Sequence, residues 1–334
     1  MKIVTNCINN YEMLNPYIGH ESQLCSVEEV RLQEGKGDGM RLLQVRNASG
    51  LEVTISADRA ADISRVIFKG DNMGYFSPCG YVAPAFYDKD GIGFLKSFTA
   101  GFLTTCGLTA VGSPCEDAGE VLPLHGTIAN TPAEQVRWEE TEDEIIVKAK
   151  VRDGRIFSHK LVMDREIVIG KYTNILRIKD VITNEGDTES PLMLLYHMNM
   201  GYPLLSEDAV VEIDSMKVVA RNEHAAEDLE TWNRMLPPTP GFEEQCYYHT
   251  FEETGRAAIR NPRIGKGLEI RFDASTLDHF CEWKMMGIHD YVLGLEPGNC
   301  SADGRDVMRS RGELKFLNPG ESKEYQVEVE FKEC

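Results

Sequence analysis

Between residues 135 and 183 four strand-like runs follow one another, at 135–140, 144–152, 155–169 and 172–183. Their separators, Glu140-Thr141-Glu142-Asp143, Asp153-Gly154 and Gly170-Lys171, are turn-forming pieces of hairpin length. Strands joined so closely can only run antiparallel, because a parallel partner needs a crossover of a dozen residues or more. The stretch is therefore read as an antiparallel meander. Within it, Glu144, Lys148, Lys150 and Arg152 alternate with Ile145, Val147, Ala149 and Val151. That is the pattern of a sheet with one wet face and one packed face.

The rest of the chain continues in kind. Residues 1 to about 50 read as irregular around the turn Gly35-Lys36-Gly37-Asp38-Gly39, with strands beginning at 40–46 and 51–57 on either side of Asn47-Ala48-Ser49-Gly50. Further strands are expected at 65–69, 192–200, 209–214, 216–221, 267–272, 280–286, 291–296, 313–317 and 324–331, the last two joined by Asn318-Pro319-Gly320-Glu321. Only 223–235 looks helical, and Pro237-Pro238-Thr239-Pro240-Gly241 ends it. Many short strands with no βαβ alternation define an all-β sandwich or barrel, and no repeat or linker divides it. Residues 1–334 are read as a single domain. The segment 71–120 is rich in Gly, Pro and aromatics, among them Tyr75, Phe94, Phe98 and Phe102. Long segments of this kind often shape binding sites.

Charge and cysteine usage narrow the function. With 54 acidic and 35 basic residues the formal charge is -19, which opposes binding to nucleic acid or to an anionic membrane surface. The start, Met1-Lys2-Ile3-Val4-Thr5-Asn6, lacks the apolar core of a secretory signal, so a cytoplasmic protein is expected. Nine scattered cysteines without a C-x-x-C pattern suggest free thiols rather than a disulfide framework or a zinc ribbon. Cys106 is read as a buried structural thiol.

Three places carry groups suited to acid/base chemistry. In Tyr291-Val292-Leu293-Gly294-Leu295-Glu296-Pro297-Gly298-Asn299, an apolar strand ends in a carboxylate and Pro-Gly then stops it. A period of two puts Leu293 and Leu295 on one face and Gly294 and Glu296 on the other. In 192–200, His197 and Asn199 share a face as a polar floor, and His125 precedes Gly126 in a loop where backbone can come close to a ligand. His125, His197 and Glu296 are read as one acid/base site. Arg59, in Asp58-Arg59-Ala60-Ala61-Asp62, is either a ligand contact or half of a surface ion pair. Trp283 is either pocket lining or core, and Lys284 reads as a solvated strand end.

Taken together these strings resemble the galactose mutarotase-like, or aldose 1-epimerase, superfamily. The resemblance rests on His125-Gly126, His197 with Asn199, Leu293-Gly294-Leu295-Glu296 and Pro319-Gly320-Glu321, in that order. It is closer still to the DUF4432 branch, through Asp58-Arg59-Ala60-Ala61-Asp62-Ile63, Ala100-Gly101-Phe102-Leu103-Thr104-Thr105-Cys106-Gly107-Leu108, the segment from His125 to Ala133 and Gly294-Leu295-Glu296-Pro297-Gly298. The resemblance implies a β-supersandwich with a carbohydrate on one concave face. It also implies a mechanism: Glu296 takes the proton of the anomeric hydroxyl while protonated His197 donates to the ring oxygen. The ring opens, the C1–C2 bond rotates, and reclosure inverts the anomeric centre. His125 would bind hydroxyls, with Asn199, Arg59, Asp290, Asn299 and Trp283 as further substrate contacts. No metal or organic cofactor is required. In two places the chain departs from the mutarotase pattern: Met198-Asn199-Met200-Gly201-Tyr202 replaces an aromatic Pro-Tyr-Phe-Asn-type run, and Asp290 is the one candidate for the sugar-binding aspartate.

Other classes stay open at this point. Two histidines and a glutamate also suit a metal-dependent sugar isomerase, although no H-x-H or H-E-x-x-H pairs them on one element. A non-catalytic sugar-binding or regulatory protein would use the same face. A phosphosugar epimerase would draw on Arg59, Arg305, Arg309 and Arg311. The partner expected in each case is a small sugar, with a homo-oligomer compatible with all of them.

Overall fold

In the computed structural model the structure describes residues 15–334. The start of the chain, on which the reading of its leader rests, lies outside the described residues. The meander forms as expected, with strands Glu134–Glu140, Glu144–Gly154, Lys160–Gly170 and Ile175–Asn184 paired antiparallel in sequence. One of its turns moves: Asp153-Gly154 stays in the strand, and the reversal is made by 155–159, where Arg155 N–H donates to the His159 carbonyl. The sheet grows to eight strands by adding Ser322–Glu333, Lys266–Asp273, Thr254–Asn261 and Val210–Ile213. The alternating burial of Ile175–Asn184 shows why it stays in register, since a slip of one residue would turn its apolar set to solvent.

A seven-stranded sheet carries the candidate chemistry. Its order is Lys217–Ala220, Gln245–Thr250, His279–Met286, Tyr291–Gly298, Ser190–Met200 and Lys315–Leu317, with Leu103–Leu108 also paired to Ser190–Met200. The central strand Ser190–Met200 is buried on both faces, as its nearly unbroken apolar run requires. Tyr196, Met198 and Met200 enter the main core, together with Leu293 and Leu295. A third sheet of five strands begins with Ser26–Arg31, a strand inside the stretch read as irregular. Its other strands follow to Asp71–Asn72.

One buried cation ties the three sheets together. Arg165, on Lys160–Gly170, donates to Asp180 Oδ1 at 2.8 Å and Oδ2 at 2.7 Å, to Asp62 Oδ1 at 2.7 Å and to the Thr105 hydroxyl at 2.7 Å. Tyr196 donates to the same Asp180 at 2.8 Å. Burial opposes the guanidinium charge, but Asp180 and then Asp62 outweigh it, so Arg165 holds its proton more firmly than usual.

Helix is scarce. The run read as helical at 223–235 forms one short helix, Glu223–Ala226, capped by Asn222, followed by the 3-10 turn Leu229–Thr231. A second helix, Arg305–Arg311, has no counterpart in the sequence reading. It is closed by Gly312, whose left-handed φ of 72° satisfies the last carbonyls. No helix among the described residues is long and apolar enough to cross a membrane.

Candidate active site

Strand register assembles the site. Leu195 pairs with Gly298 and Met198 with Leu295, which sets His197 directly opposite Glu296. On its other side Glu296 pairs with Cys281, and Cys281 with Tyr248. One step along the same face, Gly294 pairs with Trp283 and Trp283 with Cys246. Side chains in two adjacent cross-strand rows therefore face one way. The strand does not stop at Glu296 as expected but runs on through Pro297 to Gly298. Pro297 brings no N–H, and the ladder to the His197 strand is interrupted there.

These rows floor a cavity of about 330 Å³ lined by His125, His197, Glu296, Trp283, Arg221 and Glu244, with Phe94 and Phe98 in its wall. Nδ1 of His197 lies 3.2 Å from Oε1 of Glu296. Both side chains are almost wholly buried, yet the approach is not aligned as a hydrogen bond and neither atom has a hydrogen-bond partner. His125 stands beside them with its ring centroid 5.4 Å from that of His197, and Phe98 and Trp283 each lie 5.2 Å from the same ring. The His125 backbone adopts φ 58°, and Gly126 follows at φ 71° where an added Cβ would strike the Gly107 carbonyl oxygen at 2.3 Å. Gly126 is thus required for the loop to come this close. Gly294 is required for a different reason: a Cβ there would meet Glu296 Oε1 at 2.1 Å. The carboxylate occupies the space that this glycine leaves open.

Burial decides the charges. It pushes the Glu296 carboxyl well above the usual carboxylate range, with Cys246 and Glu244 adding to the shift and Arg221 opposing it. It lowers His197 to about 4, and it drives His125 well below the ordinary imidazole range, helped by His197 and Arg221. The expectation of an ionised carboxylate beside a charged imidazole is corrected here. Loss of hydration is the largest cause for both groups, and it favours a neutral acid beside a neutral imidazole.

Several residues named from the sequence stand elsewhere. Arg59 is buried and donates to three loop carbonyls, Ala129 at 3.0 Å, Val82 at 3.1 Å and Ser97 at 2.7 Å, so it is neither a surface ion pair nor a cavity contact. Asn299 is spent on the Leu194 N–H and the Tyr325 hydroxyl in the core. Asn199 is fully buried and donates to the His197 carbonyl at 2.9 Å, supporting the strand rather than lining the cavity. Asp290 is exposed and accepts from Tyr75 at 3.4 Å, away from the cavity. Lys284 is buried and donates to the Trp232 carbonyl at 3.2 Å, not a solvated end. Arg305 and Arg309 are engaged by Asp117, and Arg311 by Asp303. Cys106 is buried in a small apolar cluster.

Sequence reasoning passed over Arg221, Glu244, Cys246 and Cys281. Arg221 is fixed by Asp303 at 3.2 Å, Ser113 Oγ at 3.0 Å and the Ala302 carbonyl at 3.1 Å. Glu244 accepts from Trp283 Nε1 at 2.7 Å, which sets the indole plane at the cavity wall. Only the alternation Cys281-Glu282-Trp283 next to the Glu296 strand hinted at any of them. Among the described residues no three His, Cys, Asp or Glu side chains converge so as to hold a metal ion.

The fold is the one found in solved structures of galactose mutarotase-like β-sandwich proteins. A protein of Klebsiella pneumoniae subsp. pneumoniae, provisionally designated an aldose 1-epimerase, superposes with a TM-score of 0.87 at 29% identity over 92% of this chain and 83% of its own. A galactose mutarotase-like protein of Clostridium acetobutylicum gives 0.66 at 15% identity, over 93% and 100% of the two chains. Galactose 1-epimerase of Lactobacillus acidophilus gives 0.64 at 14% identity, over 92% and 99%. The chain belongs to the family defined as domain of unknown function DUF4432, whose model matches residues 37–331. No curated protein matches the chain.

Proposed function

We propose that the protein is a carbohydrate-binding, aldose 1-epimerase-like enzyme that interconverts the anomers of a free sugar through Glu296 and His197. The observation that carries this reading is the unpartnered pair, Nδ1 of His197 and Oε1 of Glu296, 3.2 Å apart on the floor of a cavity. Buried polar atoms without partners are costly, and they persist where a ligand completes them. Trp283 and Phe98 offer aromatic surface to the apolar faces of a sugar ring, while His125, Arg221 and Glu244 are placed for its hydroxyls. The fold shared with a galactose 1-epimerase supports the same conclusion.

Ring opening needs one group to accept the anomeric proton and one to protonate the ring oxygen. A carboxyl and an imidazole sharing one proton supply both. Held by burial as neutral acid and neutral base, the pair donates from Glu296 and accepts at His197. Once the open chain has rotated about C1–C2, the reverse transfer closes the ring on either face. The hemiacetal of the sugar is itself the reactive group.

Anomer exchange followed by NMR, across a panel of freshly dissolved aldoses and ketoses, tests the proposal. Acceleration is expected for at least one sugar. Its kcat/KM should stay level as pH falls through 6.5 and drop only toward about pH 4, where His197 gains a second proton and can no longer accept one. The alkaline limb should lie above the ordinary carboxylate range, where Glu296 loses its proton. Sugar binding without acceleration for any member would make this a binding protein instead.

Gly294→Ala gives an independent check on where the carboxylate must sit. The added methyl meets the carboxyl end of Glu296 first, at 2.1 Å, and then the Trp283 Cβ at 3.0 Å, with no backbone atom nearer than these. Exchange should fall by roughly 10²-fold through misplacement alone, while the urea midpoint shifts by less than about 1 kcal/mol in free energy, the size of a Gly-to-Ala change in a strand. An unchanged rate would show that the observed carboxylate position is not the working one.

A further inference from the structure

The cavity wall contains two thiols that the proposed sugar chemistry does not use. Cys246 lies on Gln245–Thr250 and Cys281 on the neighbouring His279–Met286. Cys246 pairs with Trp283 and Cys281 with Tyr248, so the cysteines are diagonal neighbours on the face that carries Glu296. Both line the cavity. The other described cysteines do not: Cys106 and Cys300 are enclosed in an apolar cluster, Cys25 joins the main core, Cys79 and Cys115 are half-buried away from the cavity, and Cys334 is exposed at the end of the chain.

The surroundings of Cys246 are those of a reactive thiol. Nη1 of Arg221 approaches its sulfur at 3.9 Å, and Asp303, Ser113 and the Ala302 carbonyl fix that guanidinium in place. Cys281 is its diagonal neighbour across the two strands. The neighbouring Cys281 thiol, aided by Arg221 against burial and Glu244, lowers the Cys246 thiol from its ordinary range, while Cys246 and burial raise that of Cys281. A thiol beside a cation, reachable through a cavity and next to a second thiol, is the arrangement of a peroxide-reactive cysteine with its resolving partner.

We propose that Cys246 and Cys281 form a hydroperoxide-responsive dithiol site in the wall of the cavity, with Cys246 attacking and Cys281 resolving. The Cys246 sulfur attacks a peroxide oxygen; an S–O bond forms, the O–O bond breaks, and the alcohol, or water from hydrogen peroxide, leaves with the thiol proton. The Cys281 sulfur then attacks the sulfenic sulfur; the S–S bond forms, the S–O bond breaks, and water leaves with the second thiol proton. Two thiols lose two electrons and one peroxide gains them. Diagonal neighbours on antiparallel strands stand roughly 7–8 Å apart, so closing the bond draws the two strands together, and a bond formed under that strain is one that thiol reductants reverse.

The test uses the wild-type chain and a small excess of hydrogen peroxide, followed by acid quenching, denaturation in N-ethylmaleimide and peptide mass spectrometry without reduction. The expected product is a Cys246–Cys281 linked peptide pair, two hydrogens lighter than the thiols, that disappears with dithiothreitol. In Cys281→Ser, dimedone should trap Cys246 as its sulfenic acid. Recovery of both residues as maleimide adducts, under peroxide sufficient to oxidise Cys334, would overturn the proposal, as would Cys246 joined to any other cysteine. The readout is a mass, not a turnover, so its failure is distinct from a failure of the sugar reading.

Discussion

Glu296→Gln is expected to lower anomer exchange by at least about 10²-fold, and His197→Asn to do the same. Glutamine keeps the shape that packs over Gly294 but carries no transferable proton, and asparagine removes the ring that faces Glu296. The two groups act on one proton, so the double variant should lose little more than either single one. Exchange rates from NMR on the sugar that responds to wild type decide the matter. Rates near wild type in both single variants would sink the assignment of the pair.

The second large effect falls on stability. Arg165→Met is expected to destabilise the protein by about 3–5 kcal/mol, because it leaves two carboxylates buried without their counter-charge. Asp180 is wholly buried and Asp62 almost so, and the Tyr196 and Thr105 hydroxyls alone cannot neutralise them. Urea unfolding should show a lowered midpoint with an unchanged slope. Adding Asp62→Asn and Asp180→Asn to Arg165→Met should recover much of the loss, since removing every charge also removes the desolvation cost. A midpoint unmoved by Arg165→Met alone would mean that the junction of the three sheets is held by packing and not by this cation.

Local pattern revealed the meander because hairpins are decided within a few residues of each turn, and the alternation at 144–152 states which face is wet. The short helix Arg305–Arg311 escaped notice because seven residues between Gly304 and Gly312 leave little periodicity to read, and its arginines look like anion ligands until Asp117 and Asp303 are seen beside them. His197 and Glu296 were legible through resemblance to a known pattern, but their contact depends on pairing across about a hundred residues of chain. Cys246 and Cys281 depend on the same non-local register, Arg221 and Glu244 lie just beyond strand ends, and beyond the alternation at 281–283 none of the four had a local signature. Arg59 and Asn299 misled for the opposite reason. Each sits in a motif-like string, and each serves backbone groups that would otherwise be buried without partners.

Arg59 also bears on how the cavity meets its ligand. Its guanidinium holds the carbonyls of Val82, Ser97 and Ala129, and so fastens the segment carrying Phe94 and Phe98 to the one carrying His125. Two walls riveted to one buried side chain move together or not at all. Selectivity in such a vessel belongs to its fixed outline, with little left for a closing gate to decide. A lineage adapting this scaffold to a new ligand would therefore rewrite the side chains of the sheet floor before it rebuilt the loops above them.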